Sequence, residues 1–299
     1  MESYKKTSRK DLWGNPAEKV GSYWVFHDEG IPNKRWLLIG LLFVHENHLE
    51  EARHCLKCCR QSESYYDEIH FSDLPKNFEG KFGAKAHVAR QWFKAYEDGL
   101  KDIAWFTALA VDRHSPAFEH KRFTKDFHVY NRFTAMALKA GIAWFLVPQE
   151  FDKVFITFVS DAKDRRSRPD KGWVDNFEKY IPNRAKVDAF LSQTKGRPYP
   201  QVIVSLDIQD SSKDDLLQLC DILLGATQEA IVAGSNHHTK RELGRFILRW
   251  WENLCRPREE RAVDMQRKFN LWAFPNERGA PYTKIPFKLS ISDEQLKLF

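Results

Sequence analysis

Two apolar runs, SYWVFHDE at 22–29 and RWLLIGLLFV at 35–44, are separated only by GIPNK, and no other feature constrains the fold as tightly. A connection this short, built on Gly, Pro and Asn, can reverse the chain but cannot carry a crossover, so the two runs pair as an antiparallel hairpin. Three further runs rich in β-branched and aromatic residues follow at 103–111, 154–161 and 201–208. Apolar spacing predicts helices over 48–62, 84–98, 128–146, 173–192, 214–233 and 240–255. An antiparallel start followed by strands separated by helices, as in parallel crossovers, predicts an α/β protein: one mixed sheet with helices on both faces. There is no internal repeat, low-complexity tract or interdomain linker. The expected organisation is therefore one domain over 1–299, with a helical elaboration around 83–150 and a C-terminal helix and tail, 240–299, packing across it.

At 299 residues and 42% hydrophobic, the chain can bury a sizeable core. No apolar run reaches the roughly 18 residues a membrane span needs, and the opening MESYKKTSRKD is polar, so a soluble, cytoplasmic protein is expected. Five unevenly spaced cysteines fit a reducing compartment; the CLKCC cluster lacks a second pair at zinc spacing and reads as part of an amphipathic helix. The formal net charge of +6 is mild, but its placement is not even. Arg165, Arg166, Arg168 and Lys171 crowd into 163–171, and Arg241, Arg245 and Arg249 recur every four residues along the helix at 240–255. Either group can be a solvated face, or a set of guanidinium forks and an ammonium for phosphate oxygens.

The helix at 214–233 is apolar enough for a core yet carries a polar stripe, Asp214, Gln218, Asp221, Gly225 and Gln228. Asp221 either faces solvent or points into a cleft, with Gly225 one turn on leaving room for a ligand or another backbone. Gln218 can bind a ligand or cap the stripe, and Asp210 with Ser211 and Ser212 reads as N-terminal capping.

Other acids give Asp221 company. Asp28 and Glu29 end the first strand, Asp161 the fourth and Asp207 the fifth. Ligands gather at the carboxyl ends of strands in such sheets, so these carboxylates converge, and the helix that follows the last strand folds back over the same edge. Like charges at that density need cations, and all-oxygen donors suit Mg²⁺ or Mn²⁺. Two such ions activate water and stabilise the leaving oxygen in phosphodiester cleavage, which gives the arginines a nucleic-acid backbone to hold.

The segments YWVFHDEG, DEIHFSDL, FITFVSDAKD and IQDSSKDDLLQLCDILLGA, in this order, resemble the large, mostly bacterial family of unknown function numbered three-thousand-eight-hundred, a branch of the ribonuclease H-like superfamily. The likeness covers roughly 22–233 and is most specific in the closing helix; Asp28-Glu29-Gly30 lacks the serine of the family's first-strand motif. The resemblance implies that Asp28, Glu68, Asp161 and Asp221 are metal ligands, with Asp164 and Asp207 as alternatives to Asp161. Glu68 rests on the resemblance alone. His70 either orients a ligand or shuttles a proton, or is structural. The expected function is a metal-dependent nuclease acting on DNA or RNA; the alternative is a binding module for nucleic acid or protein that keeps the scaffold without turnover, as part of a defence or mobile-element system.

Overall fold

The structure is a computed structural model that describes residues 17–31, 33–80, 83–123, 126–161 and 175–290. The basic run at 163–171, and with it Arg165, Arg166, Arg168, Lys171 and Asp164, lies outside them.

The hairpin forms as expected: β1 (Val20–Gly30) pairs antiparallel with β2 (Trp36–His45), with Asp28 opposite Gly40. Then come α1 (Leu49–Ser62), α2 (Gly83–Asp98), β3 (Ala104–Asp112), α3 (Asp126–Gly141), β4 (Lys153–Asp161), α4 (Phe177–Thr194), β5 (Gln201–Gln209), α5 (Asp215–Val232), α6 (His238–Cys255) and β6 (Phe269–Phe274). The sheet order is β5-β4-β1-β2-β3-β6. Only β2 is reversed: β1 pairs parallel with β4, β4 with β5, and β3 with β6, while β2 is antiparallel to both of its neighbours.

One expected crossover is corrected. The β2 to β3 connection, although helical, joins antiparallel neighbours, because α1 runs up the sheet and α2 returns to the edge from which β2 left. That excursion has a consequence for the site: its midpoint, the loop at 63–80, lies against Ser211 and Asp221, beside the carboxyl end of β4. A second difference is β6, which falls where the sequence suggests only the approach to an irregular tail. Its six residues pair with β3 about 160 positions earlier, a partnership no local pattern reveals.

Helices cover both faces. Leu56, Trp92, Leu219 and Trp250 of α1, α2, α5 and α6 share one core with Phe26 and Val159. Phe133 and Leu138 of α3 and Ile181 of α4 share the other with Val25 and Phe158. On the second face α3 runs on into a π-helical turn, Ile142–Leu146. A Cβ at Gly141, where α3 ends, would come within 2.6 Å of the Phe43 ring, so glycine lets the helix lie against β2. Among the described residues, no helix is long and apolar enough to cross a membrane.

Candidate active site

Strand register brings the first two acids together. His27 pairs with Ser160 across the parallel β1/β4 ladder, so the residues that follow, Asp28 and Asp161, stand side by side on strands about 4.8 Å apart. Side chains alternate along a strand; Phe26 and Val159 both enter the core under α5, so Asp28 and Asp161 point to that face too. Asp207 pairs with Val159, two residues back from the strand ends, and its exposed carboxylate accepts a hydrogen bond from Gln209 Nε2 at 2.7 Å. It is displaced from the pair.

Helix α5 supplies the third acid. Asp214 caps it, accepting the Leu216 N–H at 2.9 Å, whereas Asp210 caps only the short turn before it. From that start the polar stripe turns towards the strand ends, and Asp221 and Asp28 line the same open cleft of about 710 Å³, together with Glu29, Phe71, Gln228 and Lys240. Asp28 is only 6% exposed.

The loop between α1 and α2 supplies the remaining groups, and Gln218 holds it in place. This side chain, 1% exposed, accepts the Ile69 N–H at 2.8 Å and Arg60 Nη2 at 2.7 Å, and donates to the Ser211 carbonyl at 2.8 Å. Gln218 is therefore a structural clamp. The space beside Gly225 is likewise taken by the protein itself: a Cβ there would overlap the Phe71 ring.

So anchored, the loop threads a hydrogen-bonded chain through every acid assigned to the site except Asp28. The Ser211 N–H donates to Asp161 Oδ1 at 3.3 Å, and its hydroxyl donates to Glu68 Oε1 at 2.6 Å. His70 Nε2 lies 2.9 Å from the same Glu68 oxygen. His70 Nδ1 lies 3.3 Å from Asp221 Oδ2, which also accepts the Phe71 N–H at 2.9 Å. With a carboxylate at each ring nitrogen, both nitrogens donate only if the ring is an imidazolium. The hydrogen bond to Asp221, aided by the charges of Asp221, Glu68 and Asp73 and opposed by partial burial, raises the His70 pKa from 6.5 to about 9.

Asp28, Asp161 and Asp221 have the oxygen chemistry that Mg²⁺ or Mn²⁺ requires and share one face of the sheet edge. The fit is one of donor type and register rather than of a closed cage: among the described residues, no three His, Cys, Asp or Glu side chains are grouped to hold an ion. Glu68 faces Ser211 and His70 and is not part of the cleft wall.

Of the arginine ridge of α6, Arg249 is engaged away from the cleft. Arg249 is bound to Glu97 at 3.1 Å and covers the Phe246 ring at 4.3 Å. It stands nine residues, about 13 Å, along the helix from Lys240, which lines the cleft. Burial and the neighbouring Arg241 lower the pKa of Arg245. Lys240, absent from the sequence-based site, donates to the Ser72 carbonyl at 2.7 Å and packs 5.4 Å from the centre of the Phe71 ring; burial lowers its pKa. A lysine in the first turn of a helix carries no sequence signal for this role.

Five strands in the order 3-2-1-4-5 with the second reversed, helices on both faces, and acids at the ends of the first and fourth define a ribonuclease H-like fold, here extended by β6. No family model and no curated protein matches the chain. Among solved structures, it is similar to the ribonuclease H2 of Pyrococcus horikoshii OT3 at 13% identity, covering 78% of this chain and 88% of that one with a TM-score of 0.36. It is also similar to a structure of the PCNA:RNase HII complex from Archaeoglobus fulgidus, at 13% identity over 79% of this chain and 91% of that one, with a TM-score of 0.34.

Proposed function

We propose that this protein is a divalent-metal-dependent nuclease that hydrolyses phosphodiester bonds of DNA or RNA, and that it is a member of the family numbered three-thousand-eight-hundred. The reading is supported by Asp28 and Asp161 ending adjacent strands and by Asp28 and Asp221, the latter from the facing helix, lining one cleft. Asp28, Asp161 and Asp221 would hold Mg²⁺ or Mn²⁺. When bound, such ions lower the pKa of water and neutralise charge developing on the leaving oxygen. The chain's own contributions are the fixed positions of the acids, the imidazolium of His70 that bridges Asp221 and Glu68, and the ammonium of Lys240 in the cleft. Five free thiols support a cytoplasmic setting.

Purified protein titrated with Mg²⁺ or Mn²⁺ on mixed DNA and RNA substrates tests the reading. Hydrolysis should require the ion and fall at least about a hundredfold in Asp28→Asn and in Asp221→Asn, since ions in such sites supply several kcal/mol of charge stabilisation. Hydrolysis that survives both substitutions together refutes it.

One observation favours a second reading, a binding module without turnover: the cation between Glu68 and Asp221 is already an imidazolium. Calorimetry with Mn²⁺ separates the two, because a scaffold of that kind shows no specific divalent binding.

A further inference from the structure

A second groove, of about 380 Å³, opens beside the acidic cleft and is lined by Asn33, Lys34, Arg35, His114, Val232 and Lys288, with Trp36 beneath. Val232, the last residue of α5, lines both, so the two depressions adjoin. The groove's polar side chains come from three distant segments: the β1–β2 turn, the loop after β3 and the C-terminal stretch.

Each is held by its backbone. Asn33 Oδ1 accepts the N–H groups of Arg35 and Trp36, both at 2.9 Å, which fixes the turn that presents Lys34. Asp112 accepts the His114 N–H at 3.0 Å. The Lys288 N–H reaches the Ala230 carbonyl at 3.2 Å, and buried Ile285 and Leu289 pin the segment on either side. Asp112 also binds Arg35 through both oxygens, at 2.7 and 3.0 Å, so that guanidinium is neutralised. Lys34 and Lys288 are both exposed, and neither is ion-paired with a described carboxylate. Two ammonium groups without a counter-charge, with an imidazole beside them, suit the repeated monoanions of a phosphodiester chain better than a single ion.

We propose that this groove, and not the arginine ridge of α6, holds the sugar-phosphate backbone of the nucleic acid whose scissile bond lies at Asp28 and Asp221; the proposal rests on the nuclease reading above. Val232 is eleven residues, or about 16 Å, along α5 from Asp221, so a duplex leaving the acids meets the groove roughly five base-pair steps away. Lys240 supplies the cleft's own cation on the near side.

The test is fluorescence anisotropy of labelled single-stranded and duplex oligonucleotides with the full chain in EDTA, where nothing is turned over, as a function of salt. In Lys34→Ala/Lys288→Ala the slope of log affinity against log salt should flatten by about 1.8 for duplex and about 1.4 for single strands. The wild-type advantage on duplex should then shrink about twelvefold between about 50 and 200 mM salt. Lys57→Ala/Lys186→Ala, which removes the same charge from exposed positions on α1 and α4, should leave the slope unchanged. Unaltered binding by the groove variant, or flattening confined to Arg241→Ala/Arg245→Ala, overturns the groove and leaves the nuclease reading standing. Hydrolysis that survives loss of Asp28 and Asp221 overturns that reading whatever the slope. Wild-type protein that shows no salt-dependent binding overturns the groove, and metal-dependent hydrolysis then decides the nuclease reading by itself.

Discussion

Replacing Gln218 with Leu keeps the volume of a buried side chain and removes its three hydrogen bonds. One partner, the Ile69 N–H, then lies in a water-poor interior without its hydrogen bond to this side chain, at about 1 to 3 kcal/mol. The Ser211 carbonyl keeps the Asp214 N–H at 3.3 Å, and Arg60 keeps Asp215 at 2.8 Å and the Asp67 carbonyl at 2.8 Å, so each of these losses is nearer 1 kcal/mol. The sum is about 3 to 5 kcal/mol, a large share of the 5 to 15 kcal/mol that separates typical folded and unfolded domains. Gln218→Glu keeps the acceptor for Ile69 and Arg60 and loses only the donor to Ser211, so it should cost roughly half as much or less. Urea denaturation of the three proteins measures these differences, and hydrogen exchange at the Ile69 amide reports the loop directly, since its protection should fall further than the global stability does. A Gln218→Leu protein within about 1 kcal/mol of wild type would show that the loop carrying Glu68 and His70 is held by something other than this clamp.

His70 should titrate near 9 by NMR, and in Asp221→Asn its midpoint should move down towards 6.5; a wild-type midpoint at or below 6.5 refutes the bridged imidazolium. Because the folded-state value is the higher one, the stability that His70 contributes is complete below pH 6.5 and is lost as pH rises through about 9, which urea midpoints of wild type and His70→Asn across that range should record as a converging difference. Gly225→Ala should destabilise by about 1 to 3 kcal/mol, because the added methyl overlaps the Phe71 side chain, and removing its Cγ and Cδ1 in Phe71→Ala should recover part of the loss; additive costs in the double variant would argue against contact between them.

Much of the scaffold is legible without coordinates. The hairpin follows from one short turn between two apolar runs, and the apolar spacing of LLQLCDILLGATQEA marks both a core helix and its polar stripe. Asp28 and Asp161 can be read as strand-end acids because strand ends follow from local composition. Less visible is what each polar residue of the stripe touches. Asp214 is a cap, Gln218 a clamp and Asp221 a cleft residue, although all three sit on one face of one helix. The α6 ridge shows the opposite case: a regular arginine spacing whose member Arg249 is held by a glutamate on α2, a pairing that helical periodicity does not encode.

Sequence alone determined the alternation of elements, the reversal between the first two strands and the kinds of donor available at the strand ends, because these depend on residues a few positions apart. Tertiary structure decided the company those residues keep: His70 between Glu68 and Asp221, Phe71 against Gly225, and Lys34, His114 and Lys288 around one groove. Such meetings span more than a hundred residues and are set by which helices pack on which face of the sheet, a global balance of buried area that no short window contains.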